Sequence, residues 1–168
     1  MAGFAVVAGC GGTATADAPA VTTTTVAAPA GAIALTGDLK APKQLEATAL
    51  AALPQRTVDV SLQSSKGTEK HIETGVPLAS VLPVDALATT DRKNDQLSFA
   101  VLAVGADGYS AAFAYGDVSA DFGNRGLLVA LQEDGKALAQ PRLVVPGDVK
   151  GGRYVGDLVE LRIVRLHS

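Results

Sequence analysis

Hydrophobic residues along much of the chain alternate with polar ones, the period of two that is typical of a half-buried β-strand. Val58, Val60 and Leu62 alternate in this way with Asp59 and Ser61. Other short apolar runs are bounded by glycine, proline, asparagine or aspartate, the residues that favour turns. The pattern predicts strands at residues 32–36, 58–62, 71–74, 97–104, 109–115, 126–131, 143–145 and 154–164.

Two segments have the three- and four-residue spacing of a helix instead. The first is residues 42–53, where one proline suits the first turn and another follows the last leucine. The second is residues 75–82, which a proline also follows. Tight turns are predicted at Asp107-Gly108 and at residues 133–136. These elements indicate an α+β class in which mixed β-sheets carry a few short helices.

Composition narrows the classes of protein and of partner. Aromatic residues make up only 4% of the chain and Trp is absent, so valine, leucine and alanine must fill the core. The net charge of −3 gives no basic face of the kind that binds nucleic acid. No apolar run has the roughly 20 residues that a membrane-spanning helix needs. The two histidines, His71 and His167, lack the paired spacing of a metal site.

The N-terminal residues 1–10, MAGFAVVAGC, resemble a bacterial lipobox, in which the cysteine is lipidated. No Lys or Arg occurs before Lys40, so the basic region of a signal peptide is missing and we interpret the stretch as a truncated signal whose natural start lies upstream. Residues 11–31 are rich in small residues, Thr and Pro, which predicts a disordered linker before a folded domain at residues 32–168. Cys10 is therefore the predicted lipidation site of a periplasmic or cell-surface lipoprotein. The alternative is an unstructured N-terminus with a chance cysteine.

The second half of the chain contains a series of short motifs in a fixed order. They are GVPL at 75–78, ADGYS at 106–110, DFGNR at 121–125, EDGKAL at 133–138, PRLVVPGD at 141–148 and KGGRYV at 150–155. The series resembles the oxidoreductase molybdopterin-binding domain family, to which sulfite oxidase and plant nitrate reductase belong. The resemblance implies a sulfite-oxidase-like α+β fold and loops that hold a pterin.

The resemblance also implies a set of cofactor-binding residues on the matching motifs: Tyr109, Asn124, Arg125, Asp148, Lys150, Gly151, Arg153 and Tyr154. Lys150 and Arg153 offer cations for a phosphate or a heterocycle edge. Asp148 can accept hydrogen bonds from the pterin amino and ring N–H groups. Tyr109 and Tyr154 can stack on a flat ring. The alternative is that these stretches are only a turn, a loop and a surface ion pair.

One residue of the family pattern is missing. Catalytic members bind molybdenum through the pterin dithiolene and a protein cysteine, a soft thiolate ligand. The corresponding stretch here, residues 58–67, contains no cysteine. Ser64 or Ser65 could occupy the place, but a hydroxyl is a harder and poorly ionised ligand. Molybdenum is therefore not expected, although a pterin or molybdopterin ligand is.

The resemblance without the cysteine favours a binding protein over a redox enzyme. Small exported members of the family resemble periplasmic pterin-binding proteins that report to a membrane signalling partner. We expect the chain to bind a pterin or a molybdopterin-like ligand and to touch the membrane only through its lipid anchor. The alternatives are a molybdopterin-dependent oxidoreductase, or a subunit of one, and a protein-interaction scaffold without a ligand.

Overall fold

The computed structural model describes residues 31–167. The predictions for residues 1–30, including lipidation of Cys10 and most of the linker, lie outside the described residues. The described part forms nine strands in two sheets. The strands are β1 (Ile33–Gly37), β2 (Lys43–Leu45), β3 (Arg56–Ser64), β4 (Gly67–Pro77), β5 (Phe99–Gly105), β6 (Ser110–Ala114), β7 (Leu128–Glu133), β8 (Lys136–Val144) and β9 (Leu158–Arg165).

The first sheet is mixed and the second is antiparallel. The first has the order β2-β1-β9-β5-β6, and within it β1 and β9 are parallel. The second has the order β3-β4-β7-β8. Its two hairpins turn tightly, and Asp134 and Gly135 adopt φ values of 51° and 74° in the turn between β7 and β8. Two successive positive φ values are what a two-residue hairpin turn requires.

The helices are short, and three of them are α-helices: α1 (Ala47–Ala51), α2 (Leu78–Val81) and α3 (Tyr115–Val118). Three 3-10 turns accompany them, at Val84–Ala86, Asp95–Ser98 and Gly151–Arg153. Within residues 31–167, a helix of the length and apolar character needed to cross a membrane is not found. The predicted α+β class with mixed sheets is confirmed.

The main core lies between the two sheets, and a smaller core lies on the outer face of the second sheet. Leu128, Val129 and Ala130 are consecutive and all buried, so both faces of β7 are covered. Val129 packs into the main core, whereas its two neighbours join Val60 and Val144 in the smaller one. Residues 146–157, which we call the strap, cross this outer face, and their Tyr154 packs on the smaller core.

Two predicted helices are shorter than the spacing indicated. Lys43–Leu45 is strand β2, because these residues pair with β1, and only Ala47–Ala51 is helical. Gly75 also belongs to a strand, at a bulge of β4 against β7. A Cβ at this glycine would lie 2.1 Å from the carbonyl oxygen of Val129, so close strand packing requires it to be glycine. Pairing between strands overrides the local spacing in both places.

Most predicted strands also have different bounds, and β4 runs over Gly67–Pro77 where the pattern predicts 71–74. Three further differences have a clear local reason. The strand predicted at 143–145 is the end of the longer β8, whose polar first half is held by pairing with β7. The strand predicted at 154–164 begins only at Leu158, because Asp157 has a φ of 44° and interrupts the extended backbone. Phe99 begins β5, since the residues before it form a 3-10 turn.

A buried ion pair joins the end of β9 to the turn before β5. Both guanidinium Nη atoms of Arg165 lie 2.9 Å from a carboxylate oxygen of Asp95, and the guanidinium carbon lies 4.3 Å from the centre of the Phe99 ring. The Arg165 hydrogen bonds hold the pKa of Asp95 well below its ordinary value. The pair therefore stabilises the fold at neutral pH, and this contribution is lost as the pH falls below the carboxyl's unfolded-state pKa.

We expect Asp95→Ala to lower the melting temperature at pH 7, because the buried guanidinium of Arg165 loses its counter-ion. Asp91→Ala is the matched control, since Asp91 is exposed and close in sequence. Differential scanning calorimetry of both variants checks this prediction. A loss no larger for Asp95→Ala than for the control would contradict it.

Candidate ligand-binding site

A cavity of about 220 Å³ lies between the strap and the outer face of the second sheet. Alternate residues of β4 point to the same face of a sheet, so Glu69, His71 and Glu73 all reach this side. The full lining consists of Leu62, Glu69, His71, Glu73, Glu133, Arg142, Gly151, Tyr154 and Gly156. The cavity is therefore bordered by charged side chains from three neighbouring strands and roofed by the strap.

Glu73 is the most deeply buried charged group of the cavity, with 1% of the residue exposed. Its Oε1 atom lies 3.4 Å from Nη1 of Arg142. The same guanidinium nitrogen donates to Glu133, which stands opposite Glu73 in the pairing of β4 with β7. Two carboxylates thus share one arginine. Burial raises the pKa of Glu73 to about 7, because it penalises the charged form. The positive charge of Arg142 lowers this pKa, and the negative charge of Glu133 raises it further.

Two buried polar atoms of the cavity have no hydrogen-bond partner among the residues that the structure describes. They are Oε2 of Glu73 and the hydroxyl oxygen of Tyr154. Burial also raises the pKa of Tyr154 above its ordinary value. A buried polar group without a partner costs about 1–3 kcal/mol, and native proteins keep few of them. Two such atoms on one cavity indicate a place where a polar ligand completes the hydrogen bonding.

His71 lies at the edge of this cavity and contacts two acidic side chains. Its Nδ1 atom lies 3.1 Å from Oδ2 of Asp134, and its Nε2 atom lies 3.9 Å from Glu69. The hydrogen bond to Asp134 raises the pKa of His71 above its ordinary value. His71 is thereby oriented by the hairpin turn, so the cavity rim is fixed by the same turn that connects β7 to β8.

Of three comparisons with known proteins, the one with solved structures found a match. No family profile matches this chain. No curated protein matches it either. Among solved structures, the chain is similar to the crystal structure of the sulfane dehydrogenase SoxCD from Paracoccus pantotrophus, with a TM-score of 0.63 and 22% identity. The fold is of the sulfite-oxidase type.

This match confirms the sulfite-oxidase-type fold that the resemblance implied. It covers 80% of this chain and 38% of the matched chain. The chain thus spans less than half the length of that protein. At 22% identity the likeness shows the fold alone, so the site must be argued from its own residues.

Several of the residues predicted from the sequence to bind a cofactor lie together on or beside the strap. Arg153 donates to Asp148 through Nε at 2.8 Å and Nη2 at 2.5 Å. The guanidinium also lies 5.6 Å from the centre of the Phe113 ring in β6. Tyr109 donates to the carbonyl oxygen of Gly152 at 2.5 Å. These contacts fasten the strap to the first sheet, and ligand contact by Tyr109, Asp148 and Arg153 stays a prediction.

The remaining nominated residues divide between the cavity and the surface. Gly151 and Tyr154 line the cavity. Lys150 is exposed at the start of the strap's 3-10 turn. Asn124 and Arg125 lie in the exposed loop after α3, where Nε of Arg125 donates to Asp117 at 3.2 Å. Of the eight predicted residues, Gly151 and Tyr154 therefore line the cavity and the other six do not.

The stretch where the sequence resemblance implies the family's molybdenum-binding cysteine forms the β3–β4 hairpin. Ser64 donates to Glu69 at 2.5 Å and accepts from the backbone N–H of Lys66 at 3.0 Å. Its hydroxyl is therefore engaged within the hairpin, and a hydroxyl is a hard ligand in any case. Among residues 31–167, a cluster of three His, Cys, Asp or Glu side chains suited to a metal is not found. This donor set does not fit molybdenum.

Sequence reasoning missed the charged residues of the cavity. Glu73 and Arg142 stand in different motifs and meet only because β7 separates β4 from β8. One signal was available, since Glu69, His71 and Glu73 alternate on the strand face that pairs with Val58 and Val60. Charged residues on an apolar strand face indicate either an ion pair or a site.

Proposed function

We propose that this chain is a binding protein for a pterin or a closely related heterocycle, held in the cavity beneath the strap. One observation carries the proposal: Glu73 Oε2 and the Tyr154 hydroxyl are buried without partners among the described residues and line the same cavity. Small-molecule sites typically combine an apolar wall with a few convergent polar groups. Here Leu62 and the Tyr154 ring supply the wall.

The hydrogen-bonding groups of a pterin complement this lining. Its ring N–H and amino groups are donors, and an ionised Glu73 is an acceptor. Its carbonyl oxygen is an acceptor, and the Arg142 guanidinium is a donor with five N–H groups. The Tyr154 hydroxyl can donate or accept. The three side chains can therefore satisfy a pterin edge, and the unpaired atoms of Glu73 and Tyr154 gain partners when it binds.

Size and charge favour a free pterin over a complete molybdopterin. A cavity of about 220 Å³ is smaller than the roughly 300–1,000 Å³ of ordinary ligand pockets. Three carboxylates line it, on Glu69, Glu73 and Glu133, and they repel the phosphate that molybdopterin carries. A flat heterocycle without a phosphate avoids this repulsion. The proposed role is binding and not molybdenum catalysis, in keeping with the serines of the β3–β4 hairpin.

The proposal includes a location outside the cytoplasm and a signalling partner in the membrane. The lipobox-like residues 1–10 and the linker-like composition that follows support the location. We expect Cys10→Ser to release the protein from the membrane fraction into the soluble fraction. Membrane retention of the variant equal to that of the natural chain would contradict the lipid anchor.

Thermal denaturation with a tetrahydropterin tests the binding function. A ligand at about 100 times its dissociation constant stabilises a protein by about 2.7 kcal/mol, so the natural chain should melt at a clearly higher temperature. Tyr154→Phe should reduce this shift without lowering the melting temperature of the free protein, because the hydroxyl has no partner to lose.

Tyr115→Phe is the matched control for that experiment. Its hydroxyl is buried and donates to the carbonyl oxygen of Leu82 at 3.0 Å, away from the cavity. The control should therefore melt lower, by the loss of a hydrogen bond worth about 1 kcal/mol, and keep the full ligand shift. A folded natural chain that shows no shift with any pterin would contradict the proposal and favour the protein-interaction scaffold.

A further inference from the structure

We infer that Glu73 determines which heterocycles enter the cavity, by accepting hydrogen bonds from a ring N–H and the neighbouring amino group. The ligand class is then the 2-amino-4-oxo pteridines, in preference to 2,4-dioxo analogues of the same size. The inference rests on the proposed function, because it concerns the same cavity. The inference adds that the site selects the 2-amino group of the ligand.

The geometry leaves one carboxylate oxygen of Glu73 buried and without a hydrogen-bond donor. Arg142 holds Oε1 at 3.4 Å from its Nη1 atom, whereas Oε2 has no partner among residues 31–167. The side chain is 1% exposed and lines the cavity. A fixed, buried acceptor without a donor is complementary to a ligand that brings the donor.

The charge of the surrounding groups points to the same ligand chemistry. Arg142 faces Glu73 from β8, Glu133 faces it from β7, and Glu69 and His71 lie on its own strand. With Glu73 ionised, the group of Glu73, Glu133 and Arg142 has two negative charges against one positive charge. A buried unpaired charge is unfavourable. Donor groups of a ligand relieve this imbalance, whereas a second carbonyl oxygen at the same place adds to the repulsion.

Selection by this carboxylate also makes binding depend on pH. Ionised Glu73 only accepts hydrogen bonds, whereas protonated Glu73 carries an O–H donor that opposes the ligand's donors. Burial raises the pKa of Glu73 to about 7. The other titratable groups that line the cavity are Glu69, Glu133, His71 and Tyr154. Of these, His71 and Tyr154 are hydrogen-bond donors in their protonated forms. The affinity for a 2-amino-4-oxo pteridine is therefore about tenfold lower at about pH 5.5 than at about pH 7.

Isothermal titration calorimetry with two probes tests this inference. Pterin carries the 2-amino group, and lumazine, pteridine-2,4-dione, carries an oxygen in its place. We expect the natural chain to bind pterin about 10- to 100-fold more tightly than lumazine, the ratio that corresponds to a hydrogen bond to a charged group. Glu73→Gln should lose most of this preference and its dependence on pH.

Glu46→Gln is the control, because Glu46 is an exposed glutamate that does not line the cavity. It should keep the preference for pterin. Equal binding of the two probes by the natural chain, or an undiminished preference in Glu73→Gln, would overturn the inference and leave the proposed function standing. Binding of neither probe by the folded natural chain would overturn both. Melting curves at about pH 5, where Glu73 is protonated, show whether the variants are folded.

Discussion

Arg142→Met is expected to lower the free energy of unfolding by about 3–5 kcal/mol at about pH 8, the usual cost of removing one member of a buried ion pair. Arg142 is the shared counter-ion of Glu73 and Glu133, and Glu73 is almost fully buried. Without the guanidinium, two carboxylates face each other across the pairing of β4 with β7. The loss should be smaller at about pH 5, because Glu73 can then be neutral.

Urea denaturation measures this loss against a control on the surface. Arg125→Met removes an ion pair whose guanidinium is 62% exposed, and exposed pairs contribute about 0–1 kcal/mol. The double variant Arg142→Met with Glu73→Gln should recover part of the stability, since it also removes the unpaired charge. A loss in Arg142→Met no larger than that in Arg125→Met would contradict the role of Arg142 as the counter-ion.

Glu73→Gln is expected to abolish a fall in stability that the natural chain shows as the pH rises. The pKa of Glu73 is about 7 in the folded protein against an ordinary value of 4.5, because burial penalises the charged form. A carboxyl with a raised pKa binds its proton more tightly when folded. The stabilisation is therefore fully present below about pH 4.5 and is lost between about pH 4.5 and about pH 7.

The expected size of this effect is on the order of 3 kcal/mol, at 1.36 kcal/mol per pKa unit. Glu73→Gln should accordingly be more stable than the natural chain at about pH 8 and close to it at about pH 4.5. Glu46→Gln is the control, because Glu46 is exposed, and its curve should follow that of the natural chain. Parallel curves for the natural chain and Glu73→Gln would show that Glu73 is not protonated in the folded protein at neutral pH.

The sequence predicts the strands of this fold better than it predicts their ends. Alternation predicts a strand at 58–62, which lies within β3 at Arg56–Ser64, and the turn residues at 107–108 and 133–136 predict two of the hairpins. The sequence did not predict the first half of β8 or any of β2 as strand. Their side chains are largely exposed, and only pairing with a neighbouring strand makes these segments strands. Such pairing is a tertiary interaction that no local period encodes.

The candidate site was only partly predictable. Gly151 and Tyr154 belong to a motif that could be found along the chain, and both line the cavity. For Arg153 the sequence leaves open a cation for a phosphate or heterocycle edge and a surface ion pair, and the structure pairs it with Asp148, five residues earlier on the strap. Glu73 and Arg142 are 69 residues apart. Only the order of strands in the second sheet brings them together.

The central claim is that a pterin-like heterocycle binds beneath the strap with its donor edge on Glu73. A crystal structure of the protein grown with pterin tests it most directly. We predict the ring in the cavity, with its ring N–H or amino nitrogen within hydrogen-bond distance of Glu73 Oε2 and a polar atom on the Tyr154 hydroxyl. A ring bound elsewhere on the protein, with both atoms still unpaired or bridged only by water, would contradict the account.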